Sequence, residues 1–114
     1  MPKPCMLPED KIRIQHILDE IDNIQTFIGN VSYQEFIHDK KTVNAIIRSI
    51  EIIGEAASKI SDDYKSNHSE IPWKQIVGMR NHLIHVYFDV DYQTLWQTVK
   101  SDIPDLKLLI SNLL

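Results

Sequence analysis

Apolar residues return every three or four positions through the first part of the chain, at Ile14, Ile17, Leu18, Ile21, Ile24, Phe27 and Ile28. That interval keeps them on one face of an α-helix. The pattern predicts a helix from Pro8 to about Gly29, where Gly29-Asn30 suits a left-handed C-terminal turn. Ser32 with Glu35 then has the spacing of a capping box, in which each side chain satisfies an unpaired amide of the other at a helix start. Whether residues 33–38 form a short helix of their own stays open. Asp39 is placed to cap a longer helix from Thr42 to about Ser61, with Val43, Ile46, Ile47, Ile50, Ile53, Ala57 and Ile60 as its buried stripe. Gly54, Ala56 and Ala57 give this helix a small-residue patch that lets another helix approach, at some cost in helix propensity from the glycine. On another face Arg48, Glu51 and Glu55 recur at spacings of three and four, the pattern of local ion pairs on a solvated surface. The sharper alternative for Arg48 is a position near a dimer cleft.

Residues 62–69 are polar and read as the end of that helix followed by a loop. Pro72 suits the first turn of a third helix, expected to run to Tyr87 or Phe88. Asp89-Val90-Asp91 offers an N-cap for a further helix that buries Leu95, Trp96 and Val99, before Pro104 breaks or kinks it. Leu106, Leu109, Ile110 and Leu113 complete a last segment. No strand pattern and no internal repeat is read. The expected fold is therefore all-α: an up-and-down antiparallel bundle of four main helices with a kinked C-terminal helix, in a single domain over residues 1–114.

Composition agrees with this picture. The chain is 43% hydrophobic and 25% charged with three Gly and five Pro, which excludes a disordered, collagen-like or disulfide-stapled protein. Cys5 is the one cysteine, so no intrachain disulfide can form, as suits a reducing compartment. Residues 1–8 lack a signal-peptide core, and no run approaches the roughly 20 apolar residues of a membrane span. A cytoplasmic location without membrane attachment is expected. The formal net charge of −4 does not advertise a nucleic-acid binder, so any basic potential toward RNA must be local.

The segment with most chemistry is Arg80-Asn81-His82-Leu83-Ile84-His85-Val86-Tyr87. Arg binds phosphate through a planar fork of donors, and histidine exchanges protons near neutral pH without a metal. On spacing alone, the plainer reading is an amphipathic helix with polar residues facing water.

The surroundings change that balance. Residues Ile46-Ile47-Arg48-Ser49-Ile50-Glu51-Ile52-Ile53-Gly54-Glu55-Ala56-Ala57, then Ile71-Pro72-Trp73-Lys74-Gln75-Ile76-Val77-Gly78-Met79-Arg80, then Leu83-Ile84-His85-Val86-Tyr87-Phe88 resemble the HepT-like toxins of the HEPN superfamily. Arg80, His85 and Tyr87 fit that family's Arg-x4-His-x-Tyr motif, and the resemblance covers nearly the whole length. It implies a metal-independent endoribonuclease that acts as a homodimer, with Arg80 and His85 in the catalytic motif and no cofactor. It also implies a toxin held in check by a partner nucleotidyltransferase antitoxin, which attaches AMP to Tyr87. Asn81 and His82 vary in the family and take no role from it; they and Arg48 are noted only as possible supporting residues.

On an ideal helix Arg80 and His85 would lie roughly 140° apart, so one chain would present them awkwardly to a single phosphate. Two copies around a two-fold axis could bring both types together in a composite cleft. There His85 would act as general base or acid, and Arg80 would stabilise the transition-state charge. Tyr87 would bind a base or ribose, or simply anchor the helix end. His82 and His85 have a spacing open to a metal, but His16, His38 and His68 are scattered and a single cysteine cannot complete a zinc cage, so no metal is expected. Trp73 and Trp96 read as core or interface residues, with base stacking the lesser alternative. A different class of function uses the same cleft: a non-catalytic subunit that binds nucleotide or RNA beside a minimal nucleotidyltransferase.

Overall fold

A computed structural model describes residues 7–85 and 89–114, with His85 given by its backbone alone. Helix α1 spans Pro8–Ile28, with Pro8 in its first turn, where the missing N–H costs nothing. Ile14, Ile17, Ile21, Ile24 and Ile28 are buried along the expected stripe, while Phe27 at its edge is exposed. Gly29 ends the helix at φ 50°, a conformation that side chains with a Cβ disfavour. Residues Tyr33–Ile37 do form their own helix, α2. Its capping box is closed on both sides: the Glu35 N–H donates to Ser32 Oγ and the Ser32 N–H donates to Glu35 Oε1, each at 3.1 Å.

Helix α3, Lys40–Ser58, starts where Asp39 accepts from the Thr42 N–H at 3.1 Å. It is the centre of the molecule, packing against α1, α2 and the later helix Trp73–Gly78. The small-residue patch is a close approach in fact. A Cβ added at Gly54 would sit 3.1 Å from the backbone carbonyl oxygen of Val77.

Two expectations need correction. The polar stretch after α3 is not a loop: Ser61 accepts from the Tyr64 N–H at 3.3 Å and caps a short helix α4, Asp62–Asn67. Two acidic residues behind a serine suit a helix start, both as cap and against the positive end of the helix dipole. Ser61 is itself held by buried Asp10 of α1, which accepts from the Ser61 N–H at 2.9 Å and from its hydroxyl at 2.7 Å.

The second correction concerns the motif. The third helix does not continue to Tyr87 or Phe88. Helix α5 covers only Trp73–Gly78, and the chain then tightens into a 3-10 turn over Met79–His82. Beyond fully buried Leu83 it becomes extended. Strand β1 (Ile84–His85) pairs antiparallel with β2 (Asp89–Val90), with Ile84 opposite Val90 and His85 opposite Asp89. The Asp91 N–H donates to the Leu83 carbonyl at 2.8 Å and closes this small ladder. Gly78 is a poor residue for prolonging a helix. The run from Ile84 to Val90 is rich in β-branched and aromatic residues, which favour extended backbone. Residues 86–88, the end of the expected helix, lie outside the described residues.

Asp91 caps helix α6, Tyr92–Gln97, by accepting from the Thr94 N–H at 3.0 Å. A wide π-type turn, Thr98–Asp102, then leads into α7, Ile103–Ser111. Pro104 explains that turn. It has no N–H to offer the Lys100 carbonyl, and the Ile103 N–H reaches back five residues to the Thr98 carbonyl. Lys107 ties α7 to α1 through Gln25 Oε1 at 3.1 Å and Asp22 Oδ1 at 3.2 Å. The buried side chains of all these helices form one apolar cluster. The fold is the expected all-α bundle, with the two-strand ladder as an addition beside the motif. Among the described residues, no helix is long and apolar enough to cross a membrane.

Candidate functional site

Arg80 projects from the 3-10 turn toward α3. Its Nε lies 3.1 Å from Glu51 Oε1, with Arg80 46% and Glu51 29% exposed. Arg48, one turn before Glu51 on α3, approaches the other carboxylate oxygen at 3.5 Å. Two guanidinium groups thus bracket one carboxylate. Arg80, but not Arg48, borders a groove of about 390 Å³ lined also by Ile50, Glu51, Gly54, Glu55, Ser58, Val77 and Asn81. Gly54 shapes this groove, since the approach of α5 to its bare Cα brings the turn carrying Arg80 against α3.

The expected supporting residues separate. Asn81 lines the Arg80 groove and Arg48 shares its carboxylate. His82 faces elsewhere, into a mostly apolar groove of about 490 Å³ with Gln75, Ile76, Met79, Thr98, Asp102 and Leu106 among its walls. A 3-10 turn advances about 120° per residue, so side chains two apart diverge. The backbone of His85 belongs to β1, so the 140° separation expected on a continuous helix does not apply: an extended backbone follows the turn. The His85 side chain and all of Tyr87 lie outside the described residues.

Electrostatically, the groove is not basic: its lining sets Arg80 against Glu51 and Glu55, and Arg48 pairs with Glu51 without lining the groove. An anion entering it meets the Arg80 guanidinium, already oriented by a carboxylate. Among the described residues, no group of three or more His, Cys, Asp or Glu side chains is arranged to hold a metal ion. Sequence reasoning assigned Glu51 only a local pairing on its own helix. Its contact with Arg80, 29 positions later, carries no spacing signal.

Comparison with known proteins bears on the chain as a whole. A family model described as ribonuclease HepT-like matches residues 17–113. The chain is 48% identical to a probable ribonuclease HepT of Thermococcus cleftensis, over 82% of this chain and 86% of that protein. It is 38% identical to a protein provisionally named an RNase in Caldanaerobacter subterraneus subsp. tengcongensis, over 89% and 90% of the two chains. A protein with a similar provisional RNase name in Methanocaldococcus jannaschii is 44% identical, over 85% and 80%. No significant match is found among solved structures.

Proposed function

The chain belongs to the ribonuclease HepT-like family, and on that premise we propose that it is a metal-independent endoribonuclease. In this reading it works in the cytoplasm as a homodimer of one HEPN-like domain per chain, and is the toxin of a toxin–antitoxin pair. The observation that carries the reading is the half-exposed Arg80 guanidinium, held at Nε by Glu51 at the edge of a groove. With Nε engaged, the two terminal nitrogens can face a phosphate as a bidentate pair.

The chemistry needs no metal. His85 takes the proton of a ribose 2'-hydroxyl, and the 2'-oxygen bonds to the adjacent phosphorus. The bond from phosphorus to the 5'-oxygen breaks, and that oxygen is protonated by His85 of the partner subunit. Arg80 stabilises the extra charge on the phosphorane-like transition state. One product carries a 2',3'-cyclic phosphate, the other a 5'-hydroxyl, and DNA is spared because it lacks the nucleophile. In the proposed homodimer the two copies meet through the same surface, and Val77, 42% exposed on the wall of the Arg80 groove, is available to that contact. AMP attached to Tyr87 by a nucleotidyltransferase antitoxin would add bulk and negative charge where RNA phosphate must sit.

The test is end-group analysis. Protein stripped of metal with EDTA should cut a synthetic RNA to leave 2',3'-cyclic phosphate ends, and should leave the same sequence intact when every ribose is 2'-O-methylated. Cleavage that depends on an added divalent ion, or cuts the methylated strand, contradicts the mechanism.

A further inference from the structure

The two tryptophans have different surroundings. Trp73 is buried and its indole N–H donates to the His68 carbonyl at 3.0 Å. Trp96 is half-buried and opens onto a groove of about 480 Å³ lined by Tyr33, Gln93, Trp96, Gln97, Lys100 and Ser101. None of these residues lines the Arg80 groove. We propose that Trp96, Gln93, Gln97 and Lys100 form a subsite for one nucleotide of single-stranded RNA, apart from the Arg80 groove. The inference rests on RNA being the substrate, and supplies a place where strand beyond the cut site is gripped.

Four observations carry it. First, the indole is braced: Tyr33 meets it edge-on with ring centres 5.6 Å apart at 67°, and fully buried Phe36 packs at 5.3 Å. A ring fixed from behind presents a preformed stacking surface. Second, Gln93, Trp96, Gln97, Lys100 and Ser101 follow spacings of three and four along α6 and the π-type turn, so they make one outward stripe. Third, the groove is shallow and open to solvent, as suits a base laid on a ring, and the amides of Gln93 and Gln97 offer both donors and acceptors to a base edge. Fourth, Lys100 is the charged residue of the described lining, which includes no carboxylate, although the chain as a whole carries −4. Its ammonium rests 5.1 Å from the centre of the Trp96 ring.

An ammonium on an exposed ring is a modest contact that can be exchanged. A base stacking on Trp96 takes its place, and the lysine then reaches the phosphate of the same nucleotide. Stacking tolerates any base, so the subsite favours single strands over a particular sequence. A protein partner would need a wider apolar surface than one braced indole among amides.

The probe is a short, labelled 2'-O-methyl oligouridylate, which binds but cannot be cut. Titration into the unmodified protein should quench tryptophan fluorescence. Trp96→Leu, which keeps an apolar side chain against Phe36, should weaken binding about tenfold, whereas Trp96→Phe, which keeps a ring, should stay within about threefold. Lys100→Ala should make the slope of log affinity against log salt shallower by about 0.7, the loss of one phosphate contact to a single strand. Should Trp96→Leu fold poorly, Lys100→Ala and Gln97→Ala carry the test at exposed positions. Equal affinity and salt slope in all variants would overturn the proposal. So would a fluorescence change that follows protein concentration and ignores the oligonucleotide, which would mean a second copy covers the ring. Because the probe is uncleavable, loss of the Arg80 mechanism in cleavage assays leaves this result standing, and the reverse also holds.

Discussion

Arg80 Nε lies 3.1 Å from Glu51 Oε1, joining the motif's guanidinium to the central helix α3. Both groups are partly exposed, so solvent screens the pair and its share in stability is small, on the order of 1 kcal/mol or less. In the proposed mechanism its value is orientation. Replacing Glu51 by Ala is expected to leave the melting temperature nearly unchanged and to lower the kcat of RNA cleavage by about tenfold, since a misaimed group at a reacting centre is costly. Steady-state kinetics with thermal denaturation checks this; an unchanged kcat would show that Arg80 needs no carboxylate to hold it.

Gly54 sets the distance between α3 and the segment leading to Arg80. Its added Cβ would lie 3.1 Å from a backbone oxygen of α5, which cannot swing aside as a flexible side chain does. Gly54→Val is expected to destabilise the fold by about 2 kcal/mol through overpacking, more than any gain in helix propensity offsets. Urea unfolding reads this directly.

Asp10 is 3% exposed and accepts two hydrogen bonds from Ser61, fastening the start of α1 to the start of α4. Asp10→Ala leaves those donors without their acceptor and is expected to cost about 2 kcal/mol, since hydrogen bonds to charged groups sit at the strong end of the range. Asp10→Asn should recover part of the loss in the same unfolding experiment.

Acid should loosen two helix starts. Backbone and side-chain hydrogen bonds from Ser32 hold the Glu35 carboxyl below its ordinary 4.5, and side-chain and then backbone hydrogen bonds from Thr42 hold Asp39 below its ordinary 3.8. A carboxyl depressed in the folded state binds fewer protons there than when unfolded. Its contribution is therefore present above the ordinary value and lost as pH falls through the lowered one. The melting temperature should begin to fall below about pH 4.5, and more gently in Glu35→Gln with Asp39→Asn, as a pH series of thermal melts would show.

The elements legible in the sequence were those with strong local chemistry. The isoleucine stripe of α1, the Ser32–Glu35 box, and the Asp39 and Asp91 caps each depend on neighbours within one or two turns. The segment after Gly78 was not legible, because apolar Leu83, Ile84 and Val86 fit either a helix or an extended run. Burial of Leu83 and pairing of Ile84 with Val90 decide for the extended form, and both are tertiary facts. The same limit hid the long-range pairing of Glu51 with Arg80 and the open face of Trp96.

The most direct test of the central claim is cleavage of total RNA in EDTA by the unmodified protein, Arg80→Ala and His85→Ala, each first shown to be folded and of the same oligomeric state. The account predicts cleavage by the unmodified protein and a loss of at least about a hundredfold in each variant, the scale of one general acid–base or charge-stabilising group. Equal behaviour of all three proteins would contradict it, and would favour a non-catalytic subunit that binds nucleotide or RNA.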